Sequence, residues 1–147
     1  NFGISRSESL KELLEENLSY VSYAALIIGL ITLLGALIAL MNIMFVSITE
    51  RTREIGTRMA VGASSSLIRL QFLSEATVIS LLGGCIGIIL GLFLGNVVIV
   101  FLEMDANLPY QWIFISFVLC ALVGIAAGYL PAQKAASLDP IESLRYE

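Results

Sequence analysis

Histidine is missing from this chain, and two cysteines, three prolines and one tryptophan are all that 147 residues contain of those types. Charged residues make up only 14% of it. Each scarcity closes off a class of function. Cys85 and Cys120 lack the spacing of metal ligands, and no imidazole exists to complete a site with them, so both read as small packing residues. No Gly-x-x-x-x-Gly-Lys-Ser/Thr phosphate loop, His-Glu pair or Gly-x-Ser-x-Gly elbow is present, so energy for any work must come from another polypeptide or domain. Three stretches, Leu18–Thr49, Ala76–Leu102 and Ala106–Gln133, hold no Asp, Glu, Lys or Arg at all. Ion-coupled pumps and proton relays keep ionisable groups at such depths, so their absence argues against a secondary transporter.

What the chain does have is apolar surface. Hydrophobic residues form 58% of it and mean hydropathy is +0.92. Soluble domains carry about 25% charged residues, so the composition is that of an integral membrane protein. Each charge-free stretch exceeds the ~20 residues that a helix needs to cross a hydrocarbon core of about 30 Å. The expected divisions are a stalk helix over 1–19, spans over 20–48, 67–102 and 111–133, a connection over 49–66, a loop over 103–110 and a tail over 134–147 with a short helix. The uncharacteristic first residue, Asn1, suggests a fragment or processed product of something longer.

Charge placement orients the spans. Arg51, Arg53 and Arg58 lie in the first connection, with Arg69 just inside the next helix, whereas Glu103–Tyr110 holds two acids and no base. The tail adds Lys134 and Arg145. The positive-inside rule therefore puts the first connection and the tail in the cytoplasm, and the N-terminus and second connection outside. Tyr20, Tyr23, Tyr110 and Trp112 then fall at the outer interface, where amphipathic rings settle.

Ser5-x-x-Glu8 and Ser9-x-x-Glu12 both have the form of a capping box, so a helix is expected to begin there. Leu10, Leu13, Leu14, Leu18 and Val21 would share one face of it, with acids and Lys11 opposite. No proline intervenes before Ile48, and a helix from Ser9 to Ile48 would measure roughly 60 Å, about twice the bilayer core. The outer third would stand clear of the membrane as a continuous rod. The alternative is a separate helix lying flat at the interface, joined by a bend near Asn17–Ser19. In the second span Gly83, Gly87, Gly91 and Gly95 recur every four residues, and the third has Gly124-x-x-x-Gly128. Such stripes let backbones approach in lipid, either in a moving or dimeric interface or in static packing within one subunit. Asn42 and Ser47 read as interhelical hydrogen-bond partners.

The segment from Glu50 to Gly62 concentrates the charge. Glu50 and Glu54 are one turn apart, as are Glu54 and Arg58, and Ile55, Met59 and Val61 offer an apolar ridge between them. Gly62 suits a helix terminator, and Ser64, Ser65 and Ser66 offer N-caps for the second span. A short surface helix, mixed in charge with an apolar edge, is expected. Binding to lipid headgroups alone would need only the arginines, and leaves Glu50, Glu54 and two glycines unexplained. In the tail, Asp139 as N-cap, Pro140 in the first helical position and Glu142 in the third predict another short helix to about Tyr146.

The loop Glu50-Arg-Thr-Arg-Glu-Ile-Gly-Thr-Arg-Met-Ala-Val-Gly-Ala63 and the tail Pro131-Ala-Gln-Lys-Ala-Ala-Ser-Leu-Asp-Pro-Ile-Glu-Ser-Leu-Arg-Tyr-Glu147 resemble those of ABC transporter permeases of the MacB/FtsX-like family. Met41-Asn-Ile-Met44 and the glycine-rich second span are similar too. The resemblance covers essentially the whole chain. It implies an all-α integral membrane fold: three transmembrane helices, a long extracytoplasmic helix extension and a cytoplasmic coupling helix. Relatives have a further span and an extracytoplasmic domain, so this chain would correspond to the end of the stalk plus the last three spans. The implied coupling helix docks on a cytoplasmic ABC ATPase through Glu50, Arg51, Arg53, Glu54, Ile55, Gly56, Arg58, Met59, Ala60 and Gly62. Many relatives have basic residues where Ser64, Ser65 and Ser66 stand, so no such contact is expected there.

The implied function is a permease of the bacterial inner membrane that couples ATP hydrolysis to extracytoplasmic movement and to export or extraction of a macrolide, peptide or lipoprotein. ATP and Mg would sit on the ATPase, with no cofactor, metal or catalytic residue in this chain. Further implied partners are a second permease subunit, membrane lipid, and a periplasmic adaptor or substrate protein, but not nucleic acid. The competing reading is a non-transporting anchor or signalling subunit that recruits a cytoplasmic partner.

Overall fold

A computed structural model describes the backbone of residues 2–101, 110–139 and 141, and their side chains apart from those of 2–12, 14 and 15. Four helices run in order: α1 (Phe2–Glu50), α2 (Thr52–Ala60), α3 (Ser65–Phe101) and α4 (Tyr110–Ala136). No strand occurs among the described residues. α3, α4 and the Glu16–Glu50 part of α1 are each long and apolar enough to cross a membrane. The expected all-α, three-span architecture is therefore what the chain adopts. Most of the 103–110 loop, and all of the tail helix except Ile141, lie outside the described residues; Asp139 Oδ1 accepts a hydrogen bond from the Ile141 amide.

Helix α1 begins at Phe2, so Ser5 and Ser9 lie inside it and not at its start. A capping box requires a non-helical N-cap, and the residues before Ser5 carry the helix through it. The chain falls into two compact units, 1–36 and 37–147. In the first, α1 continues without interruption through Asn17–Ser19, where a flat interfacial helix would have ended. Asn17 Nδ2 donates to the Leu13 carbonyl and Ser22 Oγ to that of Leu18, so polar groups that could have broken the helix bond back onto it. Thr32 does the same to Ile28, which satisfies its hydroxyl where lipid offers no partner.

In the second unit α3 and α4 make the most extensive helix-to-helix contact. Gly124 and Gly128 are buried in that contact, and a methyl added at Gly124 would meet Thr77 Cα at 2.7 Å. Ser80 Oγ donates to the Cys120 carbonyl at 2.6 Å, and a methyl at Gly84 would meet Cys120 Sγ at 2.5 Å. Contact this close is how helices associate in lipid, where burial against another apolar surface gains little. Past Gly84 the backbones no longer approach this closely. Gly87, Gly91, Trp112, Ile113 and Ser116 line a groove of about 440 Å³ between them. A methyl at Gly83, Gly87, Gly91 or Gly95 would meet nothing within 4 Å. The two stripes thus have different surroundings: Gly124 and Gly128 serve packing within the chain, and the α3 stripe is uncovered by it.

A small apolar core lies where α2 meets the ends of its neighbours. It comprises Met44 and Ile48 of α1, Ile55 of α2, Ile68, Phe72 and Ala76 of α3, and Ala132 and Ala135 of α4. Lys134 Nζ adds a cation-π contact 5.3 Å above the Phe45 ring.

Candidate functional site

α2 is the element on which the charges converge. It leaves α1 through one non-helical residue, Arg51 (φ −101°, ψ 15°), whose amide still bonds the Ser47 carbonyl. Thr52 Oγ1 bonds the carbonyls of Ile48 and Thr49 and occupies acceptors at the frayed end of α1. The far end closes in a Schellman motif: Ala63 N–H bonds the Arg58 carbonyl, Gly62 N–H bonds that of Met59, and Gly62 has φ +108°. Glycine is needed there because a Cβ disfavours positive φ. Ser64 then starts α3, its carbonyl taking the Leu67 and Ile68 amides and its hydroxyl approaching the Leu67 amide at 3.4 Å.

The nine residues of α2 divide cleanly by face. Ile55 and Gly56 are buried and Met59 is half-buried, all against the chain's own core. Arg53, Glu54, Thr57, Arg58 and Ala60 are exposed, with Glu50, Arg51 and Gly62 at the two ends. The apolar ridge expected from the sequence therefore splits. Ile55 and Met59 turn inward to cover Ile48, Ile68 and Phe72, and only Val61, 90% exposed, remains outside.

Electrostatics further separates the exposed residues. Arg58 Nη2 bonds Glu54 Oε1 at 2.5 Å and its Nη1 bonds Gln71 Oε1 at 2.9 Å. Arg51 Nη1 lies 3.9 Å from Glu75 Oε1. Among the described residues, no ion pair engages Glu50 or Arg53. Two recesses flank Thr57. One is charged and lined by Glu50, Arg51, Arg53 and Glu54; the other, about 560 Å³, is walled by Arg58, Val61, Ala63, Leu67, Ile68 and Gln71. No group of His, Cys, Asp or Glu suited to a metal occurs among the described residues. The arrangement is a candidate docking surface: an anchored helix with an apolar underside and charge on its outer face. Gln71 and Glu75 of α3 engage Arg58 and Arg51 from behind it, although the loop motif alone did not point to them. Their one signal is position, about two and three turns into α3 on the side that returns past α2.

Residues 26–140 match the model of the FtsX-like permease C-terminal family. The chain belongs to the FtsX-like permease family. Its residues align over their full length with three proteins named macrolide export ATP-binding/permease protein MacB. Identity is 42% to that of Syntrophobacter fumaroxidans, 40% to that of Bordetella avium and 41% to that of Mannheimia succiniciproducens. The chain spans 21%, 23% and 23% of those proteins, about a fifth of their length. The matched family region contains all of α2, α3 and α4, so the candidate docking surface lies within it. Family membership and the three spanning helices together make this a multi-pass membrane permease.

Proposed function

We propose that this chain is the lever of an ABC exporter, moved by a cytoplasmic ATPase that binds ATP and Mg and grips α2. The observation that carries the reading is the division of α2: its apolar face is anchored in the chain's own core, and its outer face leaves Glu50 and Arg53 unpaired among the described residues. A helix fixed on one side and charged on the other is suited to receive force. On this reading the arginine-rich connection and tail face the cytoplasm, and the N-terminal part of α1 lies outside. ATP binding would draw paired α2 helices of two permease subunits together and tilt the spans. The part of α1 beyond the bilayer would pass that motion to an adaptor or substrate protein. The names of the relatives support macrolide export as one substrate class; peptides and lipoproteins fit the same outward lever.

The test uses the intact permease with its ATPase in proteoliposomes. Arg53→Glu should leave membrane insertion unchanged and reduce retention of the ATPase together with ATP-driven export. Undiminished retention and export in that variant count against the proposal. An ATPase that is retained without any nucleotide-driven change in the permease would favour the anchor reading.

A further inference from the structure

Beside the packing of Ile55 and Met59 in the core that includes Ile68 and Phe72, two further links join α2 to α3, and they differ in stiffness. The covalent link is the turn through Gly62, the described residue with positive φ, where no Cβ restrains the backbone. The other link is a side-chain bridge across that turn. Arg58 reaches from the last turn of α2 to Gln71, thirteen residues on, while its other terminal nitrogen holds Glu54. The planar guanidinium is held on α2 by Glu54 while it donates to Gln71, so the one bond that crosses to α3 comes from an oriented donor. Donors spent in this way are not available to a partner. Arg53, one turn back on the outer face, has no such engagement among the described residues.

We infer that Arg58 and Gln71 are positioning residues: their bridge ties the last turn of α2 to α3 beside the packing of Ile55 and Met59, so that displacement of α2 is delivered to the α3–α4 pair with less swivel at Gly62. The inference rests on the reading that a partner ATPase moves α2, and it assigns the exposed arginines different tasks. Arg53 meets the partner, and Arg58 transmits. The tight inner packing of α3 on α4, with Gly124 against Thr77 and Ser80 bonded to the Cys120 carbonyl, carries the motion onward.

The experiment uses the ATPase–permease complex in proteoliposomes with Mg-ATP. A fluorophore is placed at Val97→Cys, an exposed position near the far end of α3, with Cys85 and Cys120 replaced by alanine. Three quantities are read: ATPase retained, ATP hydrolysed, and amplitude of the ATP-dependent signal. Arg58 is 43% exposed, so the bridge is of moderate strength. Gln71→Leu should lower the amplitude per ATP about three- to tenfold and leave retention within about twofold. Gln71→Glu, whose carboxylate accepts the same bond, should keep the amplitude. Arg58→Gln combined with Gln71→Leu should do no more than either alone, as expected of partners in one bridge. Full amplitude in Gln71→Leu overturns the inference, as does loss of the ATPase on Arg58→Gln alone, which would make Arg58 a contact residue. If the wild-type chain retains no ATPase, both this inference and the proposed function fall. If only Arg53→Glu disturbs the complex, the proposed function stands and the bridge does not.

Discussion

A methyl group added at Gly128 would lie 2.6 Å from the Cβ of Ala76, a separation that real side chains do not adopt. The halves of α3 and α4 nearest α2 are in contact at a distance set by the absence of that one carbon. At Gly124 the obstacle is harder, because the neighbour is the backbone of Thr77.

Gly124→Ala should therefore destabilise the permease by about 1–3 kcal/mol, the usual cost of overpacking. Gly91→Ala has open space and should be neutral, or stabilising by up to about 1 kcal/mol through helix propensity. Thermal unfolding in detergent measures both. A loss at Gly91 equal to that at Gly124 would show that another chain covers the α3 stripe.

Ile55 is 2% exposed and Val61 is 90% exposed, although both are aliphatic residues of the same charged segment. Ile55→Ala should cost about 2–5 kcal/mol from the core at the α2 end, and Val61→Ala should cost almost nothing. Denaturation monitored near α2 checks the contrast. Equal effects would mean that α2 does not rest on Ile48, Ile68 and Phe72.

Replacing Gly62 forces a side chain into positive φ and should cost about 1–3 kcal/mol. The damage should be local, read as faster amide exchange at Gly62 and Ala63, whose hydrogen bonds close α2. Gly62→Asn should be milder than Gly62→Ala, since asparagine tolerates positive φ better.

Topology has its own test. In sealed right-side-out vesicles, with Cys85 and Cys120 replaced, a cysteine introduced at exposed Thr57 should react with an impermeant maleimide only after lysis. One at Tyr110, at the start of α4, should react before it. The reverse pattern would invert the orientation and remove the ATPase from reach of α2.

The spans were legible because charge-free length is a direct physical requirement of crossing lipid, and α2 was legible through its charge spacing and through Gly62. The end of α1 was not. Arg51 breaks the helix with neither glycine nor proline near it, and Thr49 and Thr52 satisfy the local carbonyls on either side. The direction of the apolar edge was also hidden. Ile55 and Met59 mark a face, but only the assembled ends of α1, α3 and α4 create the surface that claims it. The glycine stripes look alike in one dimension because spacing identifies a smooth face and says nothing about what lies opposite.

Beyond Gly84 the close backbone approach of α3 and α4 gives way to a groove that side chains of both helices still line. Their grip sits at one end, and the stretch of α3 from Gly84 to Phe101 is about 25 Å long at 1.5 Å per residue. A rotation of about ten degrees at the grip sweeps the tip of that stretch through about 4 Å. On the proposed lever reading, a small adjustment where the two helices touch most closely would be magnified at the far end of α3.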